Sequence, residues 1–167
     1  MTPPRRHPLA LAIYLNSRGF AFVIFEGEVA PLDWGAVEVR GKDKRERAIL
    51  RASALLTRYM PDVLVLQDMS ERGTRRTHRI RRLNDDIAER AEDFCIPIAN
   101  FSRDQVRRGF RHLGAITKDT IAAEIARNIP AFERFLPPPR KIWKSEDARM
   151  GIFDAAALAL TFFQSKT

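Results

Sequence analysis

The chain has a single cysteine, Cys95, which excludes an internal disulfide and any multi-cysteine zinc site. Histidine is almost as scarce: His7, His78 and His112 are scattered, with no metal-ligand spacing between them. No apolar run approaches the roughly 20 residues needed to span a bilayer, so no membrane partner is expected. No glycine-rich loop follows any apolar run, which leaves a doubly wound nucleotide-binding fold without support. Internal repeats are missing too. Acid is the scarcer charge: 21 Asp+Glu face 29 Lys+Arg, a net charge of +8. That balance favours a polyanionic partner, because basic side chains displace the counterions condensed on nucleic acid.

What is present suits one globular domain. Apolar residues make up 45% of the 167, enough to fill a single good core. The expected division is a flexible, basic, proline-rich N-terminus at 1–8 and a single domain over 9–167. Residues 9–15 after that basic start faintly imitate a signal peptide. The apolar run is at the short end for one, however, and Asn16-Ser17-Arg18-Gly19 reads as a turn rather than a cleavage site, so a cytoplasmic protein is expected. Cys95, beside Phe94 at the end of a helical pattern, is expected to be a buried core thiol.

Residues 9–15 and 20–25 are β-rich apolar runs whose connection suits a tight hairpin. A third, half-exposed edge strand is expected around 36–40, where Val37-Glu38-Val39-Arg40 alternates. A helix follows over 44–59, with Ile49, Ala52, Leu55, Leu56 and Tyr59 at helical spacing. Val63-Leu64-Val65-Leu66 is a continuous apolar run, as in a strand covered on both faces. The next helix is expected over 74–94, with Ile80, Leu83, Ile87, Ala91 and Phe94 as its stripe. A strand over 96–101 follows, with Pro97 marking an edge. A short helix should begin near Arg103, and another should run over 117–128 with Thr117 as N-cap. Pro137-Pro138-Pro139 breaks the chain before an alanine-rich terminal helix over 146–163. A hairpin followed by strands separated by helices predicts an α/β fold, a five-stranded mixed sheet flanked by helices.

Basic residues cluster twice. Arg72, Arg75, Arg76, Arg79, Arg81 and Arg82 crowd the start of the 74–94 helix, and no acid occurs between positions 72 and 82 to pair with them locally. Arg103, Arg107, Arg108, Arg111 and Lys118 form the second cluster. Either set suits phosphate contact, and the plainer alternative for each is a solvated charged face. Phe110 and Trp143 are the aromatic residues in polar surroundings that could stack on an exposed base.

The order of these parts resembles the RNase H-like superfamily and, within it, the RuvC-type Holliday-junction resolvases. The residues that carry the resemblance are Val106-Arg107, Gly114, Lys118-Asp119 and Ile121 in that order, then the closing Asp154-Ala155-Ala156-Ala157-Leu158. The resemblance implies an RNase H-like fold and a nuclease that holds two divalent cations on carboxylates. It also implies dimers, which the residues themselves do not establish. Four carboxylate positions are expected, and this chain departs at three of them. Tyr14 stands on the first strand, Gln67 on the central strand and Gly151 on the last helix, where Asp154 alone matches. A tyrosine is neutral near pH 7 and an amide offers oxygen without charge, whereas Mg²⁺ relies on anionic ligands.

Two function classes follow, with a third behind them. The first is a RuvC-like nucleic-acid-binding protein, with DNA ahead of RNA and metal-dependent cleavage lost or weakened. The second is an active Mg²⁺- or Mn²⁺-dependent endonuclease using Asp154 with Asp68, Asp147 or Glu146, and with Lys118 in the site; only this reading requires a cofactor. The third is a structural subunit of a recombination or mobile-element complex. Asp68 neighbours Gln67 and points to the opposite face unless a bulge re-aims it. Asp147 is two helical turns from Asp154 if the terminal helix starts at 146.

Overall fold

The computed structural model describes residues 7–28, 30–70, 77–139, 143 and 146–166. The hairpin forms where its turn residues put it. Strands β1 (Leu9–Asn16) and β2 (Gly19–Glu26) pair antiparallel, and the Asn16 side-chain oxygen accepts from the N–H groups of Arg18 (2.9 Å) and Gly19 (3.0 Å). Only glycine fits at 19, because a Cβ there would lie 2.1 Å from the Val37 carbonyl oxygen. Strand β3 (Pro31–Glu38) completes an antiparallel meander. It begins earlier than the 36–40 expected. Its opening Pro31-Leu32-Asp33-Trp34-Gly35 has little β-propensity, and pairing to β2 rather than local preference makes it a strand.

Helix α1 (Lys44–Tyr59) matches its expected bounds, although Ala48 rather than Ile49 is the buried residue of its first turns. Strand β4 (Val63–Gln67) then runs parallel to β1, and β5 (Ile98–Phe101) runs parallel to β4. The sheet order is β3-β2-β1-β4-β5, so β5 is an edge as Pro97 indicated, though it starts two residues later than expected. Helix α2 (His78–Asp93) starts at the cap formed by Thr77, whose hydroxyl accepts from the Ile80 N–H; positions 74–76 of the expected helix lie outside the described residues, as does most of the 1–8 tail.

The expectation of a buried Cys95 is wrong. It is exposed and takes a positive φ of 57°, because it carries the chain out of α2 in a left-handed turn. Phe94 beside it is also partly exposed, which shortens the apolar stripe to Ile87 and Ala91 with Ile80 and Leu83 at its margin.

Helix α3 (Arg103–Phe110) opens on a reciprocal Ser102–Gln105 capping box, and α4 (Lys118–Asn128) opens on the expected Thr117 cap. Phe110 is buried, which rules it out for stacking on a base, whereas Trp143 is exposed. Helix α5 (Met150–Ser165) begins four residues later than expected. Asp147 forms a turn ahead of it, with its carboxylate accepting from the Arg149 N–H at 2.9 Å.

Side-chain alternation divides the interior in two. Leu11, Ile13, Leu64 and Leu66 face α1 and α2, whereas Ala10, Ala12, Ala21 and Val65 face α5 and α4. The small residues on the second face let the alanine-rich α5 lie close on the sheet, and its Ala155, Ala156 and Ala159 are fully buried.

Candidate functional site

The same alternation places the site. Tyr14 follows Ala10 and Ala12 on the α5 side of β1, and Gln67 follows Val63 and Val65 on the α5 side of β4. Since β1 and β4 are parallel neighbours, both residues arrive at the carboxyl ends of adjacent strands. In open α/β sheets this is where crevices form. A cleft of about 790 Å³ lies there. Tyr14 and Gln67 line its strand side, Asp154 and Phe153 of α5 its floor, and Lys118 and Asp119 of α4 one wall. Arg103 and Arg107 of α3, Pro137–Pro139, and Glu146 and Asp147 complete it.

Lys118 is the centre of this arrangement. Its ammonium lies 2.6 Å from a Glu146 oxygen and 3.1 Å from a carboxylate oxygen of Asp154, and 5.4 Å from the centre of the Tyr14 ring. Burial opposes the charge, but Asp154, Tyr14 and Glu146 outweigh it and hold the ammonium well above the ordinary lysine range. Lys118 is therefore charged throughout the physiological range. On the strand side the Gln67 Oε1 is buried and has no hydrogen-bond partner among the described residues. The carbonyl oxygen of Gln67 accepts from the Asn84 amide at 3.2 Å, which fixes the strand end against α2.

Several expected site residues fall elsewhere. Asp68 is turned away: its Oδ1 accepts from the N–H and hydroxyl of Ser70 at 2.9 and 2.6 Å. Asp147 does line the cleft, but not as part of α5. Arg149 grips it through two side-chain bonds at 2.7 and 3.0 Å, and that hydrogen bonding lowers its pKa to about 2. Gly151 does not mark an empty ligand position. A Cβ there would meet the Ala21 Cβ at 3.0 Å and the Asn16 amide nitrogen at 3.5 Å, so the glycine is where α5 touches the hairpin.

Of the basic residues, Arg103, Arg107 and Lys118 reach the cleft, while Arg108 and Arg111 are exposed beyond its lining. Arg79, Arg81 and Arg82 are exposed on α2, which covers the opposite face of the sheet; Arg72, Arg75 and Arg76 lie outside the described residues. Pro137–Pro139 and Asp119 were not singled out as site residues in the sequence. The proline run was legible only as a break, and nothing local showed that it would line the cleft.

The residues present do not fit a two-cation centre. Two-metal hydrolysis needs several carboxylates converging on ions roughly 3.5–4 Å apart. Here Glu146 and Asp154 share one ammonium, Asp147 is held by Arg149, and Tyr14 and Gln67 carry no charge. No group of three or more His, Cys, Asp or Glu among the described residues is placed to hold a metal ion. No helix among them is long and apolar enough to cross a membrane.

No family model and no curated protein matches the chain. Solved structures do. Thermus thermophilus RuvC is similar with a TM-score of 0.66 at 18% identity, covering 95% of both chains. T. thermophilus RuvC in complex with a Holliday junction gives 0.69 at 17% identity over 96% of each. The yeast mitochondrial Holliday junction resolvase Ydc2 gives 0.64 at 15% identity, covering 99% of this chain and 82% of that one. The chain therefore shares its fold with these solved RuvC and Ydc2 structures, the fold that the order of motifs implied.

Proposed function

We propose that this is a RuvC-like protein that binds branched or duplex DNA and in which metal-dependent cleavage is lost or severely weakened. One observation carries the reading. At the cleft where the fold gathers its carboxylates, the strand side presents Tyr14 and Gln67, and the helix side presents Asp154 already paired with Lys118 at 3.1 Å. The strand side brings no anion to complete a two-cation set, and Glu146, Asp147 and Asp154 are already paired with basic side chains, while Arg103, Arg107 and Lys118 suit phosphate. The net charge of +8 supports a polyanionic ligand. T. thermophilus RuvC and the fowlpox virus resolvase were both solved with Holliday junction DNA, which makes a four-way junction the first ligand to try.

The test is a pair of assays on one preparation. Binding to a synthetic junction should weaken steeply with salt, by roughly a thousandfold between 50 and 200 mM if about six basic residues meet phosphates. Incubation with Mg²⁺ or Mn²⁺ should leave the junction uncut. Robust cutting, abolished by Asp154→Asn, would overturn the loss of cleavage and favour a rearranged endonuclease. That second reading has its own support, because Glu146 and Asp147 line the cleft together with Asp154.

A further inference from the structure

We propose that Lys118 is a resident cation: its ammonium occupies the place of a divalent ion between Asp154 and Glu146 and holds a DNA phosphate in the cleft without any metal. The proposal rests on the DNA-binding reading for its phosphate, and on the poor fit of the site to metal for its cation.

Geometry is the first argument. Glu146 and Asp154 come from separate parts of the chain, the segment before α5 and α5 itself, and both reach the same nitrogen on α4. Two carboxylates converging on one small cation is what a metal ion would otherwise produce. An ammonium has three N–H donors; Glu146 accepts one at 2.6 Å, whereas Asp154 pairs with the charge at 3.1 Å without a formed hydrogen bond. Donor capacity is therefore left for an oxygen entering the cleft that Arg103 and Arg107 also line.

Charge is the second argument. Without Lys118, the described lining would set Asp119, Glu146 and Asp154 against Arg103 and Arg107, with Asp147 already paired to Arg149, and this excess of acid would oppose a phosphate. A nuclease of this fold removes that repulsion by loading metal. A side chain can remove it permanently, because the neighbouring anions keep the ammonium protonated and its tether to α4 prevents exchange with solvent ions. Tyr14 completes the substitution: its ring faces the ammonium at 5.4 Å, an attraction of cation–π type where an aspartate would have faced a metal. A plain structural tie between α4 and α5 would need only one of the two carboxylates and would leave DNA binding indifferent to the lysine.

The experiment measures Mn²⁺ binding by calorimetry and electron paramagnetic resonance, without DNA, and junction affinity with EDTA or Mg²⁺ at constant ionic strength. The wild-type protein should bind no Mn²⁺ at millimolar concentration, and its junction affinity should be the same in EDTA and Mg²⁺. Lys118→Gln should lose about tenfold or more in junction affinity in EDTA, the loss of one charged contact. It should also bind Mn²⁺ through the freed carboxylates and regain affinity when Mg²⁺ or Mn²⁺ is added. Lys118→Arg should keep both junction binding and indifference to metal, and it supports the test if the Gln variant does not fold. Millimolar Mn²⁺ binding by the wild type overturns the proposal, as does a folded Lys118→Gln that binds the junction like the parent or that no divalent ion rescues. Failure of the wild type to bind any DNA at low salt is a separate result: it removes the DNA reading and the phosphate, while the Mn²⁺ titrations still decide whether Lys118 holds the cation's place.

Discussion

On the face covered by α1 and α2, β1 and β4 present Leu11, Ile13, Leu64 and Leu66, all completely buried, against Ala52, Leu56 and Ile87 of the helices. On the other face the same strands present Ala10, Ala12 and Val65 and then, at their carboxyl ends, Tyr14 and Gln67. The first face is apolar to its end, and the second opens into a cleft. The difference arises from side-chain size. Alanines draw α5 down onto the sheet, and the helix then carries Asp154 to the strand ends where Lys118 can reach it. The proposed function places DNA on the α5 face and leaves the α1/α2 face to support it.

If this is right, the two faces should be alike in stability and unlike in binding. The largest effect expected is on stability. Phe132 is fully buried and meets the rings of Phe25, Trp34 and Phe153 edge-on, so Phe132→Ala should cost about 3–5 kcal/mol. Leu56→Ala on the opposite face should cost about 2–5 kcal/mol. Urea denaturation of both variants checks this. A loss below about 1 kcal/mol at either site would show that face to be loosely packed.

Binding should separate the faces. Changing Arg103 and Arg107 together to Gln removes two phosphate contacts and should reduce the steepness of the log–log salt dependence of junction affinity by roughly 1.8. The pair Arg79→Gln and Arg82→Gln, exposed on α2 behind the sheet, should leave that slope unchanged. The opposite outcome would move the DNA to the α2 side and restore the arginine-rich helix start as the interface.

Restoring charge should sharpen the comparison within the α5 face itself. Gly151→Asp, which resemblance alone would favour, forces a Cβ to 3.0 Å from Ala21 in a buried position and should cost about 1–3 kcal/mol without creating a metal site. Tyr14→Asp with Gln67→Glu places both new carboxylates in the cleft and should bind Mn²⁺ more tightly than the parent. Calorimetry on the two variants distinguishes a packing position from ligand positions.

What could be read from the sequence was local. The hairpin followed from Asn16 and Gly19, α1 from its apolar spacing, the edge at β5 from Pro97, and the α4 cap from Thr117. The five-stranded mixed sheet flanked by helices followed from those signals together with the resemblance. The rest depended on long-range geometry. Nothing near Gly151 shows that Ala21, 130 positions away in the chain, fills the space beside it. Cys95 was assigned to the core from its neighbours, whereas its backbone conformation at the helix exit turns it outward. Lys118 was legible as a site residue, but its two carboxylate partners lie 28 and 36 positions further on, and only the packing of α4 against α5 brings the three together.

The smallest effect concerns the entrance to α5. Hydrogen bonding to Arg149 holds the Asp147 carboxyl at about 2, below the ordinary carboxylate range, so the group favours the folded state in its ionised form. That contribution is complete above an unfolded pKa of about 3.9 and disappears as pH falls through the folded value near 2. The pair is substantially exposed, with 45% and 34% of the two side chains accessible, so solvent screening keeps its contribution small. Asp147→Asn should therefore lower stability slightly at pH 6 and not at all near pH 2, with the two unfolding curves converging between pH 4 and 2. A constant offset across that range would show that Asp147 acts through the shape of its turn, where its oxygen also accepts the Arg149 N–H at 2.9 Å, rather than through its charge.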